Sequence, residues 1–331
     1  MISRVADHCF WMGRYVERAE NAARVLSATH GLALDGELPA HQCWLPVLIV
    51  AGEQPAFYER FGASAAGEEE VVQDYMSWDE KNLSSLLRSV GAARENARSI
   101  RDLLSIEVWE AVNETHLWLH GQDARNEYAE NRFGFYGRLR WHTELVLGLA
   151  RTTMLHDQAL DFVGLGVLLE RAGWTARVLD VHHHALLSEG LGDRAAETGL
   201  WLAILRACSG YEPFLRHGRG QISGLAVANF LLLEPKFPRS VRYCVQGAGE
   251  RLSVIRPPQR DELPGGRSLK RLLNLDAWLR QLELPRTDQS ALHQVLTQVV
   301  DETAAVCNVL GEELLGQPPA AAPTVAAERA G

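Results

Sequence analysis

Residues 13–26 read GRYVERAENAARVL, and residues 166–179 read GVLLERAGWTARVL. Both stretches fit the pattern Gly-x-x-x-Glu-Arg-Ala-x-x-x-Ala-Arg-Val-Leu without a gap, 153 residues apart. A repeat at this distance indicates duplication of a half-domain, with halves of about 1–155 and 156–315. Packing alone would need only apolar residues in the repeat, yet a glutamate and two arginines recur. The Glu-Arg pair is therefore the first place to look for function.

Apolar residues recur at helical spacing along almost the whole chain, and no convincing β-alternation is present. We predict an all-α fold, a bundle of long helices with an internal pseudo-twofold repeat. The helical domain is expected to span residues 1–315. The tail at 316–331 is rich in proline and alanine and is predicted to be disordered.

Local sequence also predicts several helix boundaries. Ser3 is expected to cap the first long helix. A helix is predicted over residues 77–90, and a long helix then covers Gly91–Leu119 with a break at Ser105. Ser240 follows a stiff turn with two prolines, and we expect it to cap the next helix.

The composition and charge argue against several classes of protein. The chain of 331 residues carries a net charge of −9, with a sequence pI of about 5.8. Proteins that bind nucleic acid or anionic membranes need a basic surface, so we expect neither partner. The N-terminus lacks the apolar core of a signal peptide, and no run reaches the roughly 18 apolar residues that span a bilayer. We expect a cytoplasmic protein.

Cysteines and histidines give no convincing metal site. The five cysteines have no Cys-x-x-Cys spacing, and we interpret them as buried, reduced thiols. Asp180 and the histidines at 182–184 look like metal ligands, and His116 and His120 are four residues apart, but no third ligand follows at fixed spacing. The Glu-x-x-His pattern of di-iron bundles and the phosphate loop of ATP-binding proteins are absent from the sequence. We predict no metal and no cofactor.

The repeated glutamates and arginines are expected to pair with each other. Residues three, four and seven apart share a helix face, so neighbouring positions of one stripe of the first helix hold Arg14, Glu17, Arg18, Asn21 and Arg24 or Val25. A buried glutamate or arginine is costly unless it is paired. The simplest geometry packs the two repeat helices together about a pseudo-twofold axis. Each glutamate then faces an arginine of the other copy: Glu17 with Arg171 or Arg177, and Glu170 with Arg18 or Arg24.

Two interpretations of this constellation stay open. In the first, the ion pairs only fix the register of the helices. In the second, they line a polar cavity that holds a small carboxylate, phosphate or amine. Glu17 and Glu170 are then the catalytic candidates, each able to accept a proton from an amine. The candidate substrate-binding residues are Arg14, Arg18, Asn21, Arg24, Arg98, Arg101, Arg171, Arg177 and Arg239.

With these residues in view, the chain resembles the bacterial alpha-E domain family, which is named for its predicted helices and its Glu-Arg motif. The stretches that carry the resemblance are Met1–Leu26, Ala93–Trp109, Leu168–Val181 and Phe230–Cys244. The second motif departs from the family pattern in two places. Val167 replaces the usual arginine, and Gly173-Trp174 replaces the usual acidic-Met pair. The first copy is therefore the better candidate for chemistry and the second for support.

The resemblance implies partners for the chain. Members of the family are usually encoded beside, or fused to, a circularly permuted ATP-grasp protein and a transglutaminase-like cysteine peptidase. The ATP-grasp partner resembles carboxylate-amine ligases, so we expect a system that forms or modifies peptides through amide bonds. The chain would bind a small substrate or intermediate in the Glu/Arg cavity. Alternatively, it would be a non-catalytic scaffold that docks the ligase or the peptidase. Whether the chain is an enzyme stays open, and a homo-oligomer is compatible with the sequence.

Overall fold

Helices form nearly all of the regular structure. The computed structural model describes residues 1–36, 38–189, 194–217, 222–257, 259–260, 262–284 and 289–318. The first half folds into α1 (Ser3–Asp35), α2 (Ala40–Ala51), α3 (Gln54–Phe61), α4 (Glu69–Trp78), α5 (Leu86–Ser99), α6 (Ile106–His120), α7 (Gln122–Glu130) and α8 (Arg132–Thr153). The second half folds into α9 (Gln158–Glu189), α10 (Arg194–Ala207), α11 (Tyr211–His217), α12 (Gly224–Leu233), α13 (Val241–Ile255), α14 (Gly266–Gln281) and α15 (Gln289–Leu314). These residues contain no β-strand, which confirms the all-α fold predicted from the sequence.

Each of the two repeat helices is surrounded by a group of other helices. α5, α6 and α8 pack around α1 or on one another, and α13, α14 and α15 do the same around α9. α1 and α9 pack against each other, while α2 contacts α9 and α10 contacts α1. Buried apolar side chains fill both groups and the contact between them. The two groups follow the same order along the chain, but a pseudo-twofold axis that relates them stays a prediction.

The closest approach of α1 and α9 depends on two glycines. A Cβ atom added to Gly13 would lie 2.1 Å from the carbonyl oxygen of Val163, and one added to Gly166 would lie 2.1 Å from that of Phe10. Each glycine therefore packs its bare backbone on the other helix, which a larger residue could do only by moving the helices apart. Gly13 and Gly166 are equivalent repeat positions, and so are Phe10 and Val163. The contact is thus reciprocal at the crossing.

The helix predicted over residues 77–90 is wrong. α4 ends one residue before Asp79, and α5 begins one residue after Ser85. The carboxylate of Asp79 accepts hydrogen bonds from the backbone N–H groups of Lys81 at 2.8 Å and Asn82 at 3.0 Å. Such local bonds from a side chain to the backbone favour a turn over a helix. Ser85 then caps α5 with its hydroxyl.

The other predicted caps have mixed outcomes. The break at Ser105 is confirmed, because its hydroxyl caps the first turn of α6. Ser240 caps α13 as predicted, by accepting a backbone hydrogen bond at 3.1 Å. Ser3 is not a cap: it is the first residue of α1, and Ile2 holds the cap position without a side-chain hydrogen bond. The backbone becomes helical one residue earlier than the serine predicts.

The end of the chain bears on two further predictions. From residue 319 onward, the tail predicted to be disordered lies outside the described residues. The domain boundary at residue 315 stays a prediction. Of the helices with described residues, none combines the length and the apolar character needed to cross a membrane.

Candidate functional site

The crossing of α1 and α9 brings the two Glu-Arg pairs together. Glu17 and Glu170 each follow the crossing glycine of their own helix by four residues, so they lie one turn away on the same face. Only 0% and 2% of their surfaces, respectively, are exposed. A buried carboxylate needs charged partners, and each glutamate finds them on the opposite helix.

Glu170 of α9 binds two arginines of α1. Arg14 donates from Nε to Oε2 at 2.7 Å, and Arg18 donates from Nε to Oε1 at 2.9 Å. A second nitrogen of each guanidinium also contacts Oε2, at 2.5 Å for Arg14 and 3.2 Å for Arg18. Burial raises the pKa of Glu170, but the two positive charges outweigh burial and hold the pKa well below its ordinary value. The carboxylate is therefore ionised at neutral pH.

Glu17 of α1 binds Arg171 of α9 at two points. Nε of Arg171 donates to Oε1 at 2.8 Å, and Nη2 donates to Oε2 at 2.6 Å. Arg239, just before α13, adds a third hydrogen bond from Nη1 to Oε1 at 3.1 Å. The predicted crossed pairing is thus confirmed for Glu17 with Arg171 and for Glu170 with Arg18.

Arg239 connects the crossing to another buried carboxylate, Glu20. Glu20 accepts a hydrogen bond from Arg239 and another, at 2.9 Å, from Nε of Arg24 one turn further along α1. Asn21 accepts a hydrogen bond from Arg239 at 2.8 Å. Burial raises the pKa of Glu20, but Arg239 and Arg24 outweigh burial and lower it. Glu20 is not among the site residues predicted from the sequence, although its spacing of four from Arg24 is a usable signal.

Arg24 reaches two more residues that were not predicted. It pairs with Glu144 of α8, whose side chain is 51% exposed, and it donates to the hydroxyl of Ser209. These residues lie 120 and 185 positions away along the chain, so no local pattern associates them with Arg24. Ser209 has a left-handed backbone conformation with φ of 50°, which is uncommon for a residue other than glycine. The ion pairs therefore extend to the protein surface at Glu144.

Arg177 has the position in the second repeat that Arg24 has in the first, but it lacks the matching carboxylate. Gly173 stands where the first repeat has Glu20. Nε of Arg177 donates to the carbonyl oxygen of Val50 at 3.0 Å. In the described part of the chain, no carboxylate forms an ion pair with this guanidinium.

Within the described structure, six arginines converge on three buried carboxylates. The arginines are Arg14, Arg18, Arg24, Arg171, Arg177 and Arg239, and the carboxylates are Glu17, Glu20 and Glu170. We call these nine residues the charged network. The half-exposed Glu144 adds a fourth negative charge, so the network keeps an excess of two positive charges.

Burial is the main cause of the shifted pKa of Arg177, and the neighbouring charges modify it. Burial lowers the pKa, because it disfavours the charged form of the guanidinium. Glu170 attracts Arg177 and raises the pKa, but the nearby positive charges of Arg18 and Arg14 lower it again. The net shift is downward, as expected for a desolvated guanidinium with two positive neighbours.

The structure does not bring Arg98 and Arg101 into the charged network. The side chain of Arg98, near the end of α5, is 65% exposed and pairs with Glu95 at 2.5 Å. Arg101 is also exposed, and its guanidinium lies 5.1 Å from the ring centre of Trp109. The expectation that these arginines add donors to the interior is wrong. Helical spacing shows which charges share a face but not whether that face is buried.

The described residues among the predicted metal ligands form no cluster that could hold a metal ion. His182 is buried and donates from Nδ1 to a backbone carbonyl at 2.7 Å, and burial lowers its pKa to about 4. Asp180 pairs with His293 at 2.8 Å. The side chains of His183 and His184 lie outside the described residues. Elsewhere in the described structure, no group of three or more His, Cys, Asp or Glu residues could hold a metal ion.

A surface groove of about 450 Å³ opens beside the charged network. Its walls come mainly from α8, α9 and α13, and they combine aliphatic side chains with charged ones. Arg171 lines the groove, with 14% of its side chain exposed, whereas the Glu17 that it binds is fully buried. Val167, which replaces an arginine of the motif, is also part of the wall. A solute in this groove would contact one guanidinium of the network.

These features define a class of protein: an all-α domain whose repeat helices cross at a Gly-x-x-x-Glu-Arg motif and bury a charged network. The chain belongs to the Alpha-E family, described as a predicted alpha-helical domain with a conserved ER motif, and the family model matches residues 1–315. The resemblance seen in the sequence is thereby confirmed.

The chain is also similar to longer mycobacterial proteins. One is an uncharacterized protein of Mycobacterium bovis, and two are uncharacterized proteins from two strains of Mycobacterium tuberculosis. Each is 30% identical to this chain over 256 residues, a match that covers 72% of this chain and 28% of the relative. The match therefore takes up less than a third of the length of these relatives. No solved structure matches the chain.

Proposed function

We propose that the charged network binds a small anion, a substrate or intermediate that carries a carboxylate or an acyl phosphate. The observation that carries this proposal is the excess of arginine over buried carboxylate. A guanidinium presents a planar fork that matches carboxylate and phosphate oxygens at two points. A buried charge without a partner is costly, and a bound anion would remove that cost.

The exposed edges of the network belong to its arginines. The side chains of Arg14, Arg18 and Arg171 keep 17%, 19% and 14% of their surfaces exposed. The glutamates that they bind, in contrast, are exposed by no more than 2%. An anion that approaches from solvent therefore meets hydrogen-bond donors first and is kept apart from the carboxylates.

We infer that the buried glutamates position the arginines. The lowered pKa of Glu170 makes this carboxylate a weak base, which argues against proton abstraction by it at neutral pH. Glu17 already accepts hydrogen bonds from Arg171 and Arg239. Groups held in this way offer their donors to a ligand without further reorganisation. The catalytic role predicted for Glu17 and Glu170 thus becomes a proposal for positioning.

Partners are proposed from the family and from the length of the relatives. An ATP-grasp ligase activates a carboxylate as an acyl phosphate before an amine attacks it, and both the carboxylate and the acyl phosphate are anions that arginines bind. We propose that this domain holds one of these anions for such a ligase, in a system that also includes a transglutaminase-like peptidase. The relatives support a role beside other domains, because the matched stretch is only 28% of their length.

A second candidate function is a scaffold that docks the ligase or the peptidase, and one observation favours it. Each buried carboxylate already binds two arginines: Glu17 binds Arg171 and Arg239, Glu20 binds Arg24 and Arg239, and Glu170 binds Arg14 and Arg18. These pairs would fix the angle between α1 and α9 without any ligand. The network would then be structural, and function would lie on the outer helix faces.

Anion binding by the purified chain separates the two candidates. Acetate and phosphate are titrated by isothermal calorimetry at constant ionic strength, with chloride as the reference salt. We expect saturable binding that weakens about tenfold or more in Arg14→Gln, because a hydrogen bond to a charged group is lost. Arg14→Gln leaves Arg18 on Glu170, and circular dichroism verifies that the variant is folded. The exposed Arg98→Gln is the matched control and should bind as the wild type does.

Two results would contradict the anion-binding function. One is the absence of saturable binding in the wild type, and the other is an equal loss of affinity in Arg14→Gln and Arg98→Gln. The scaffold candidate predicts either of these results, together with capture of the ATP-grasp protein by both variants.

A further inference from the structure

The two repeats differ at the residue that precedes their last arginine by one turn. In α1, Glu20 binds Arg24 through Nε at 2.9 Å and Nη2 at 2.8 Å. In α9, Gly173 lies four residues before Arg177. Because residues four apart are neighbours on a helix, the same geometry would place a carboxylate beside Arg177 if Gly173 were a glutamate. The second repeat lacks the carboxylate partner that the first repeat has.

A side chain at position 173 would lie directly against Arg177, in a buried part of α9. A Cβ atom added to Gly173 would have as its neighbours Nη1 of Arg177 at 3.3 Å and Oγ1 of Thr303 at 3.6 Å, with no other described atom outside its own stretch of helix within 4 Å. Nε of Arg177 donates a hydrogen bond to the carbonyl oxygen of Val50, while the two Nη nitrogens of Arg177 donate to no partner in the described structure. The Arg177 side chain is also partly exposed, so a solute can reach it from solvent.

The positive excess of the network lies on this side. Arg14, Arg18 and Arg177 surround a single carboxylate, that of Glu170. On the other side, the three arginines of the network have three carboxylates as partners: Arg24, Arg171 and Arg239 with Glu17, Glu20 and Glu144. Within the network one half is therefore balanced, although Arg140 outside the network adds a positive charge near Arg24. The other half has two positive charges in excess. The ring of Trp174, centred 5.7 Å from the Arg177 guanidinium, adds an apolar wall.

We propose that the free edge of Arg177 beside Gly173 binds one carboxylate of a small organic acid. This carboxylate would take the place that the Glu20 side chain has beside Arg24. The inference rests on the anion-binding function proposed above and assigns it a location and a ligand class. A carboxylate fits better than a phosphate, because the position corresponds to that of one glutamate, with a single charge and a flat pair of oxygens. Beyond its Cα atom, a glutamate side chain has the heavy atoms of propionate.

Propionate is therefore the probe, and Gly173 is the position to change. Propionate is titrated into the full chain by isothermal calorimetry, for the wild type and for Gly173→Glu, Gly173→Gln and Arg98→Gln. We expect Gly173→Glu to bind at least about tenfold more weakly, because its own carboxylate pairs with Arg177. Gly173→Gln fills the same space without charge, so it should also block propionate. Only the glutamate adds an ion pair, so Gly173→Glu should melt at a higher temperature than Gly173→Gln. Arg98→Gln should match the wild type.

The outcomes separate this site from the general anion-binding function. If the wild type binds acetate, phosphate or propionate and Gly173→Glu retains the full affinity, this site is wrong and the general function stands. If the wild type binds none of these anions, both are wrong. If phosphate binds more tightly than propionate and Gly173→Glu abolishes phosphate binding, the site is right but the assignment to carboxylates is overturned. Should Gly173→Glu fail to fold, Arg177→Gln replaces it: lost propionate binding supports the site, and retained binding overturns it.

Discussion

Replacing Gly13 by alanine tests how much stability depends on the close crossing of α1 and α9. The added methyl carbon would lie 2.1 Å from the carbonyl oxygen of Val163. Even a close contact between carbon and a carbonyl oxygen needs about 3.3 Å, so the helices must separate by roughly 1 Å. The obstacle is the backbone of α9, which cannot rotate away as a side chain can.

The separation would also strain the ion pairs one turn from the crossing. Overpacking typically costs about 1–3 kcal/mol, and breaking a buried pair such as Glu17 with Arg171 costs about 3–5 kcal/mol. Because the pairs would be stretched and not removed, we expect Gly13→Ala to lower the free energy of unfolding by about 3 kcal/mol or more. Gly166→Ala should lose a similar amount, since its added carbon meets the carbonyl oxygen of Phe10 at the same 2.1 Å.

Gly91→Ala is the matched control for both variants. Gly91 lies inside α5, and a Cβ atom added there has nothing within 4 Å. Alanine at this position should therefore raise the free energy of unfolding by about 0.5–1 kcal/mol. Urea unfolding followed by circular dichroism measures all three variants. If Gly13→Ala and Gly166→Ala unfold at the wild-type urea concentration while Gly91→Ala behaves as expected, the reasoning about the crossing is refuted.

Three further predictions concern the charged network and its surroundings. Glu170→Gln should lower the free energy of unfolding by about 3–5 kcal/mol, because two guanidinium groups lose their carboxylate. The control Arg60→Gln breaks a partly exposed pair with Asp79 and should change the free energy of unfolding by less than about 1 kcal/mol. Equal effects of the two variants in urea unfolding would contradict this prediction. Stability should fall as the pH drops from 6.5 towards about 4, since burial lowers the pKa values of His182 and His116 to about 4. Stability should fall further below pH 4.5, because Glu170 has its ordinary pKa of 4.5 in the unfolded chain and a much lower one in the folded chain. In melting temperatures measured across this pH range, His182→Gln should reduce the loss of stability between pH 6.5 and 4, and Glu170→Gln should reduce the loss below pH 4.5. Profiles that match the wild type would exclude these residues as the cause. Ser240→Ala should cost about 1 kcal/mol by removing the cap of α13, and an unchanged melting temperature would argue against the cap.

The centre of the molecule was predictable because the repeat has no gap. A helix has 3.6 residues per turn, so the glycine and the glutamate of each copy fall on one face, with the next arginine at the edge of that face. Two such faces in contact must cross their charges. The choice of partner follows from distance along the helix axis. Arg24 lies seven residues beyond Glu17, roughly 10 Å along α1. Two helices that cross at one point are already apart at this distance from the crossing, so Glu170 binds the nearer Arg18.

Long-range partners could not be predicted from local patterns. Arg239 is a candidate substrate-binding residue in the sequence, and nothing local predicts that it pairs with Glu17 and Glu20 of α1, more than 200 residues away. Arg98 and Arg101 follow the same helical spacing as the buried arginines, and only packing decides that their face is exposed. A sequence pattern thus fixes which charges share a face, while the neighbours of that face come from tertiary structure.

The sequence favours the first repeat as the place for chemistry, but the structure favours the second repeat. The first repeat is richer in polar residues, which predicts chemistry there, but Glu20 and Asn21 are already bonded to Arg24 and Arg239. Arg14, which the second repeat lacks, binds Glu170 of the second repeat and adds positive charge there. What both copies share, the crossing glycines and the crossed pairs, lies at the contact of α1 with α9. A ligand is needed only where one copy lacks a partner that the other keeps, and we therefore infer that the anion binds beside the second repeat, at Arg177.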